Sequence, residues 1–353
     1  MFSKIILPLD GSKLAERAIP HARRIARTFD SEIRLMQVLD SSPYHDLPQV
    51  TEPLNWQIRK AQADLYLQGL SAELREEGLR ADYAIREGKT AENIIDYAHS
   101  EGADLLVLTT HGASGLSRWN TSSVVQKVIE KIYLPVMLVR AYQTVEGQRS
   151  PIPDTGGAQG IDRLNDPTAL PSASEIGRQS ALEWGSEALY RRILLPIDTS
   201  RRAECALSPA ISLTREAGLL ILAAVIAPPE LPIPAPYPEE INVLIDRFMQ
   251  ASREAVNLYL DDQRRRLDVP VEVRTIENTN PSAALHHLAE KENVDLVVLC
   301  AHGRTGGTEW PYGSVARNYI EHGDRTVLII QDIPRAQVRP TMVETAAEKY
   351  GRR

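Results

Sequence analysis

The feature that most constrains this 353-residue chain is an internal repeat. KIILPLDGS at 4–12 returns as RILLPIDTS at 192–200, and LLVLTTHGASG at 105–115 returns as LVVLCAHGRTG at 296–306. The two offsets, 188 and 191 residues, differ by three, so the motifs stand nearly the same distance apart in each copy. From Gly88–Val124 onto Thr279–Val315 the match runs without a gap. Twelve of those 37 positions are identical, among them Asp104/Asp295, His111/His302, Gly112/Gly303, Trp119/Trp310 and Ser123/Ser314. Length alone allows two or three domains. Self-similarity reduces that to one domain at 1–140 and its copy at 191–332. Between them, 141–190 carries SPIPDTGG and NDPTALPSAS, and 15 of its 50 residues are Gly, Pro or Ser. That composition reads as a flexible or partly ordered linker, with SALEWGSEALYR at 180–191 able to form a short amphipathic helix into copy two. The polar stretch 333–353 reads as a frayed tail, at most a helix.

Each copy alternates strand and helix patterns. In copy one, Ile5–Leu9 is a short continuous apolar run, as expected of a strand buried on both faces. Leu14, Ala18, Ala22, Ile25 and Phe29 then fall at helical spacing. Further strands are expected at 33–38, 82–86, 105–109 and 136–139, with helices ending near Glu77 and spanning 90–100 and 122–132. Copy two gives the same order, with strands near 193–197, 220–226, 271–276, 296–300 and 327–331 and a long helix over about 239–267. Such alternation forces right-handed crossovers and parallel strands. The expected fold class is therefore α/β: two doubly wound, five-stranded, parallel-sheet (Rossmann-like) domains. Ligands of such sheets sit at the carboxyl ends of the strands, where strand order reverses. The best-repeated motifs lie there.

Composition narrows the function classes. A net charge of −7 disfavours a dedicated nucleic-acid binder. The longest apolar run, Leu219–Pro229, has eleven residues against the roughly 20 of a spanning helix, and MFSKIILPLDGS lacks the shape of a secretory signal, so no membrane role is expected. Two cysteines, Cys205 and Cys300, make neither a disulfide framework nor a zinc site and suit a reducing cytoplasm.

Chemistry concentrates after the fourth strand. In copy two, Cys300, Ala301, His302, Gly303, Arg304 are followed by Tyr312, Gly313, Ser314, Val315. Glycines permit close backbone approach, and a helix start offers free N–H groups and a positive dipole end. The pattern can cradle a phosphate. It can equally be read as tight turns with a serine cap.

These residues resemble the universal stress protein family. The resemblance covers both copies and omits linker and tail. The family's nucleotide motif is Gly, two residues, Gly, nine residues, Gly, then Ser or Thr. Copy two matches as Cys300, Gly303, Gly313, Ser314, with Cys in the first glycine slot; copy one matches as Thr109, Gly112, Ser122, Ser123, with Thr and Ser in two glycine slots. The strand-one aspartate is present twice, as Asp10 and Asp198. The resemblance implies an ATP-binding stress-response sensor or regulator, with Mg, or with ADP or AMP instead. The adenosine would be met by the strand-one Asp and a residue ending strand two, the phosphates by the glycine loop. Carried over by position, copy two would use Pro196, Ile197, Asp198, Ile226, Cys300, Gly303, Gly313, Ser314 and Val315. Copy one would use Pro8, Leu9, Asp10, Val38, Thr109, Gly112, Ser122, Ser123 and Val124. Asp-Gly and Asp-Thr-Ser are also ordinary turn and cap chemistry. The replacements in copy one leave open an interaction module of the same fold without nucleotide.

No catalytic signature accompanies the motif. HExxH and a GxSxG elbow are absent, and Gly88-Lys89-Thr90 does not complete a Walker GxxxxGK[S/T] motif, since Tyr83 stands where its first glycine would be, so hydrolysis is expected to be slow at most. Adenylyl-transfer loops of SGGxDS or HxGH type are missing, and a phospho-receiver would need an Asp where Arg86-Glu87-Gly88 stands. Arg118 and Arg304 are phosphate partners or surface residues, and His111 and His302 shape the turn or reach a ligand. His286-His287 are adjacent and share no helix face, so they form no metal pair. Trp119 and Trp310 are expected to pack over the loop. Family members pair through the last strand, so the two copies are expected to form an intramolecular pseudo-dimer through 136–139 and 327–331, with homodimerisation of whole chains left open.

Overall fold

The computed structural model describes residues 1–40, 52–111, 122–141, 190–215, 218–234, 236–304 and 312–332. The expected linker 141–190, apart from Ala141 and Tyr190, and the tail 333–353 lie outside the described residues. The first half runs β1 (Lys4–Pro8), α1 (Lys13–Glu16), α2 (Ile19–Phe29), β2 (Glu32–Leu39), α3 (Glu52–Glu76), β3 (Arg80–Glu87), α4 (Thr90–Ser100), β4 (Leu105–Thr109), α5 (Ser123–Ile129) and β5 (Val136–Val139). The second runs β6 (Arg192–Pro196), a 3-10 turn (Ala203–Ala206), α6 (Leu207–Thr214), β7 (Leu219–Ile226), α7 (Glu239–Arg266), β8 (Val271–Glu277), α8 (Pro281–Lys291), β9 (Leu296–Cys300), α9 (Ser314–His322) and β10 (Thr326–Ile330).

All ten strands form one sheet in the order β3-β2-β1-β4-β5-β10-β9-β6-β7-β8. Within each half every pairing is parallel. Strand order reverses between β1 and β4, and again between β6 and β9, so each half has its switch point where the repeated motifs emerge. The halves meet at β5 and β10, which pair antiparallel with Leu138 opposite Val327 and Met137 opposite Leu328. The last strands close each other's edges, as expected of a tandem pseudo-dimer. Both are buried along their whole length, which removes two edges that would otherwise offer unpaired backbone groups.

Alternation along the strands builds a core on each side of the sheet. Ile5 and Leu7 face a layer with Ile25 and Leu67, while Ile6 between them faces Ile94, Leu106 and Val128. Copy two repeats this, with Ile193 and Leu195 on the first side and Leu194 on the second.

Side chains also bind the halves together. The buried His21 Nδ1 lies 2.6 Å from the Tyr190 hydroxyl, and burial lowers its pKa to about 4. Arg140, just past β5, donates to the carbonyls of Tyr319 and Ile320 near the end of α9. These carbonyls belong to the last turn of α9, where a guanidinium is favourable.

Two helix expectations are corrected. The segment 12–29 is not one helix. It breaks after Glu16 because Pro20 has no N–H for the Glu16 carbonyl, and its ring suits the first turn of a new helix instead. The helix expected to Ile132 ends at Ile129.

Candidate functional site

The loop after β6 begins as an extension of the strand, with Ile197 N–H donating to Ala223 O at 2.8 Å; Leu9 does the same to Met36 O at 2.7 Å in the first half. The aspartate follows. Asp198 Oδ1 accepts the Ser200 N–H at 3.0 Å, and Asp10 Oδ1 accepts the Ser12 N–H at 3.0 Å. In copy two the other carboxylate oxygen does more: Asp198 Oδ2 accepts the Arg304 N–H across the site. A Cβ built on Gly303 would lie 2.3 Å from that oxygen. Position 303 is thus glycine because the loop after β9 must pass directly over the strand-one carboxylate.

Pro196, Ile197, Asp198, Ile226, Cys300, Gly303, Gly313, Ser314 and Val315 all line one cavity of about 940 Å³. In copy one, Pro8 and Thr109 end β1 and β4, Val38 lies in β2, and Leu9 and Asp10 follow β1. Ser122 precedes α5, and Ser123 and Val124 open it. Gly112 lies outside the described residues, as do Arg118, Trp119 and Trp310.

The two helix starts differ in one respect. Ser122 N–H donates to Thr110 O, and Gly313 N–H donates to Ala301 O, both at 2.9 Å, so the backbone takes the same path. Ser122 then turns its hydroxyl back to accept the Val125 N–H at 3.3 Å. Gly313 has no side chain to do so, and among the described residues no side chain caps the first turn of α9, which faces the cavity. Such a turn presents N–H groups and a positive dipole end that suit an anion.

His302 is buried and its Nδ1 lies 2.8 Å from Asp332 Oδ1; Arg202 Nε holds the other oxygen at 2.9 Å. Burial works against the ionised carboxyl, but His302 and Arg202 outweigh it and hold Asp332 below the usual range. His111 Nδ1 meets Ala141 O at 2.9 Å at the equivalent place. Both histidines tie the turn after the fourth strand to the exit of the fifth. Arg304 is occupied: its guanidinium donates to Asp198 O at 2.9 Å and to the Thr199 hydroxyl. His286 is half-buried, 2.9 Å from Asn318 Oδ1, and His287 is exposed. Among the described residues no group of three or more His, Cys, Asp or Glu is arranged to hold a metal ion.

One wall was not anticipated from the motifs. Phe248, Ser252 and Val256 of α7 line the same cavity, joined by Pro281 and Leu285 of α8. The signal existed as an i, i+4, i+8 face on the long helix, with Phe248 half exposed where a core aromatic would be covered.

The sequence profile of the Universal stress protein family matches residues 1–140 and 189–331. The chain belongs to the universal stress protein family. A universal stress protein of Methanocaldococcus jannaschii is 33% identical over 141 residues, which is 40% of this chain and 83% of the relative. One from Bacillus subtilis is 27% identical over 148 residues, 40% of this chain and 100% of the relative. These relatives are the length of one copy. Solved structures match across the tandem. A putative universal stress protein of Pseudomonas aeruginosa covers 94% of this chain and 93% of its own at TM-score 0.59 and 15% identity. A universal stress protein of Archaeoglobus fulgidus covers 94% and 98% at TM-score 0.55 and 15% identity. At such identity the likeness concerns the fold alone. Among the described residues of this universal stress protein, no helix is long and apolar enough to cross a membrane.

Proposed function

We propose that this tandem universal stress protein binds ATP or a related adenine nucleotide in copy two, as a stress-response sensor or regulator that hydrolyses it slowly at most. The observation that carries this reading is the start of α9, without a side-chain cap among the described residues, opening into the 940 Å³ cavity beside Gly303. The residues present fit the group. Ser314 and the first-turn N–H groups of α9 would hold phosphates, and Gly303 keeps the loop over Asp198 free of a side chain. The apolar wall of Ile226, Leu285 and Val256 suits a base, and Asp198 keeps lone pairs for a hydroxyl beyond its two backbone bonds. Any Mg would arrive on the phosphates.

A second reading applies to copy one. There the Ser122 hydroxyl already occupies a first-turn N–H of α5, which favours a degenerate site that serves the assembly without nucleotide. We take the domains to be 1–140 and 191–332. The test is to denature the purified chain, identify any released nucleotide, and repeat with Ser314→Ala. Adenine nucleotide at up to one per chain, reduced in the variant, is expected. None released, with none bound at millimolar concentration, leaves the interaction-module reading for both copies.

A further inference from the structure

The two thiols of the chain are in contact. Cys205 Sγ lies 3.3 Å from Cys300 Sγ, although 95 positions separate them in sequence. Cys205 sits on the 3-10 turn Ala203–Ala206, which packs against β9, and Cys300 is the last residue of β9. Both side chains are partly exposed, so a small oxidant can reach them. A disulfide has an S–S distance of about 2.04 Å, so closure asks the sulfurs to approach by about 1.3 Å, within the range of side-chain rotation and a slight shift of the turn. The chain contains no other cysteine, so no competing intramolecular bridge exists.

We propose that Cys205 and Cys300 form a reversible disulfide on exposure to a hydroperoxide, a modification site at the edge of the copy-two cavity. The Cys300 thiol donates to the Arg202 carbonyl at 3.2 Å, which holds its proton in place, so the first attack is written from Cys205. The Cys205 thiolate attacks the distal peroxide oxygen; the O–O bond breaks, the alcohol leaves, and the sulfur becomes a sulfenic acid. Cys300 then attacks that sulfur, its proton leaving with the hydroxyl as water. Two thiols and one hydroperoxide give one disulfide, one alcohol and one water, and a dithiol reverses the step by exchange.

The position links the bridge to the site. Cys300 stands in the first glycine slot of the motif and lines the cavity, and Ala203 of the 3-10 turn lines it too. The disulfide ties these two walls together. A ligand in the cavity covers Cys300 and retards oxidation; this consequence alone rests on the proposed nucleotide binding. In a reducing compartment the pair stays open until oxidant rises, which is the usual behaviour of a redox-sensing cysteine pair.

The test treats the reduced full-length chain with hydrogen peroxide, with and without saturating ATP. Intact mass should fall by about 2 Da. Non-reducing digestion should yield a Cys205–Cys300 linked peptide, dithiothreitol should restore both thiols, and Cys205→Ser and Cys300→Ser should each abolish the mass loss. Two free thiols after treatment, stepwise oxygen addition instead of bridging, or a bridge only between chains would overturn the proposal. ATP is expected to slow the bridge several-fold. A bridge that forms at the same rate with and without ATP leaves the disulfide standing and counts against the nucleotide reading instead.

Discussion

Replacing Gly303 by alanine isolates the contact that organises the copy-two site. The new Cβ would stand 2.3 Å from Asp198 Oδ2, and the atoms it would meet all belong to that side chain, so the carboxylate is the group expected to yield. An ordinary contact at that pair is about 3.4 Å, so the oxygen must retreat by about 1 Å. That breaks the bond from the Arg304 N–H and strains the guanidinium contacts to Asp198 O and the Thr199 hydroxyl. A hydrogen bond to a charged acceptor contributes about 1.5–3 kcal/mol, and partial exposure here points to the lower end, about 1.5 kcal/mol. For a half of this size the unfolding midpoint should drop by about 3–8 °C. The assay is chemical denaturation of wild type, Gly303→Ala, Asp198→Ala and the double variant. Without the carboxylate the clash disappears, so alanine at 303 should cost under about 0.5 kcal/mol in the Asp198→Ala background. An equal cost in both backgrounds, or no cost in either, would refute the reasoning.

Two other outcomes follow from the same geometry. His21 has its pKa lowered to about 4 by burial, against 6.5 when unfolded, so between those values the unfolded chain binds more protons. Stability is fully present above pH 6.5 and falls as pH drops toward 4, by at most about 3 kcal/mol, and His21→Gln should flatten that slope in pH-dependent thermal unfolding. Ser122→Gly removes the hydroxyl from the Val125 N–H, should cost only about 0.3 kcal/mol, and should raise nucleotide stoichiometry if the cap is what closes copy one, read by equilibrium dialysis.

Much of the fold was legible because the repeat and the strand pattern agree. Leu105–Thr109 and Thr90–Ser100 emerge with the bounds their patterns suggest. The apolar run of Val136–Val139 marks a strand without an exposed edge, and β10 supplies the partner. Pro20 shows where periodicity misleads: Leu14 and Ala18 keep helical spacing across a break that a missing N–H enforces. In the candidate site, the motif residues of copy two were readable because glycine and strand-end positions carry chain-local signals. The pairing of Asp198 with Arg304, and of Cys205 with Cys300, was not, since each joins residues about 100 positions apart. Phe248 was hidden for another reason: α7 is amphipathic over its length, and nothing local separates a cavity wall from a core face.

The most direct measurement is calorimetric titration of ATP into nucleotide-free chain, beside Ser314→Asp. A carboxylate at the first turn of α9 suits the helix dipole, so the variant should fold at least as well as wild type, while its charge repels a phosphate at the same place. The account predicts saturable binding to wild type with Kd below about 1 mM, weakened by tenfold or more in the variant, an effect of about 1.4 kcal/mol. Absence of binding to wild type at millimolar ATP, or equal affinity in both proteins, would contradict it.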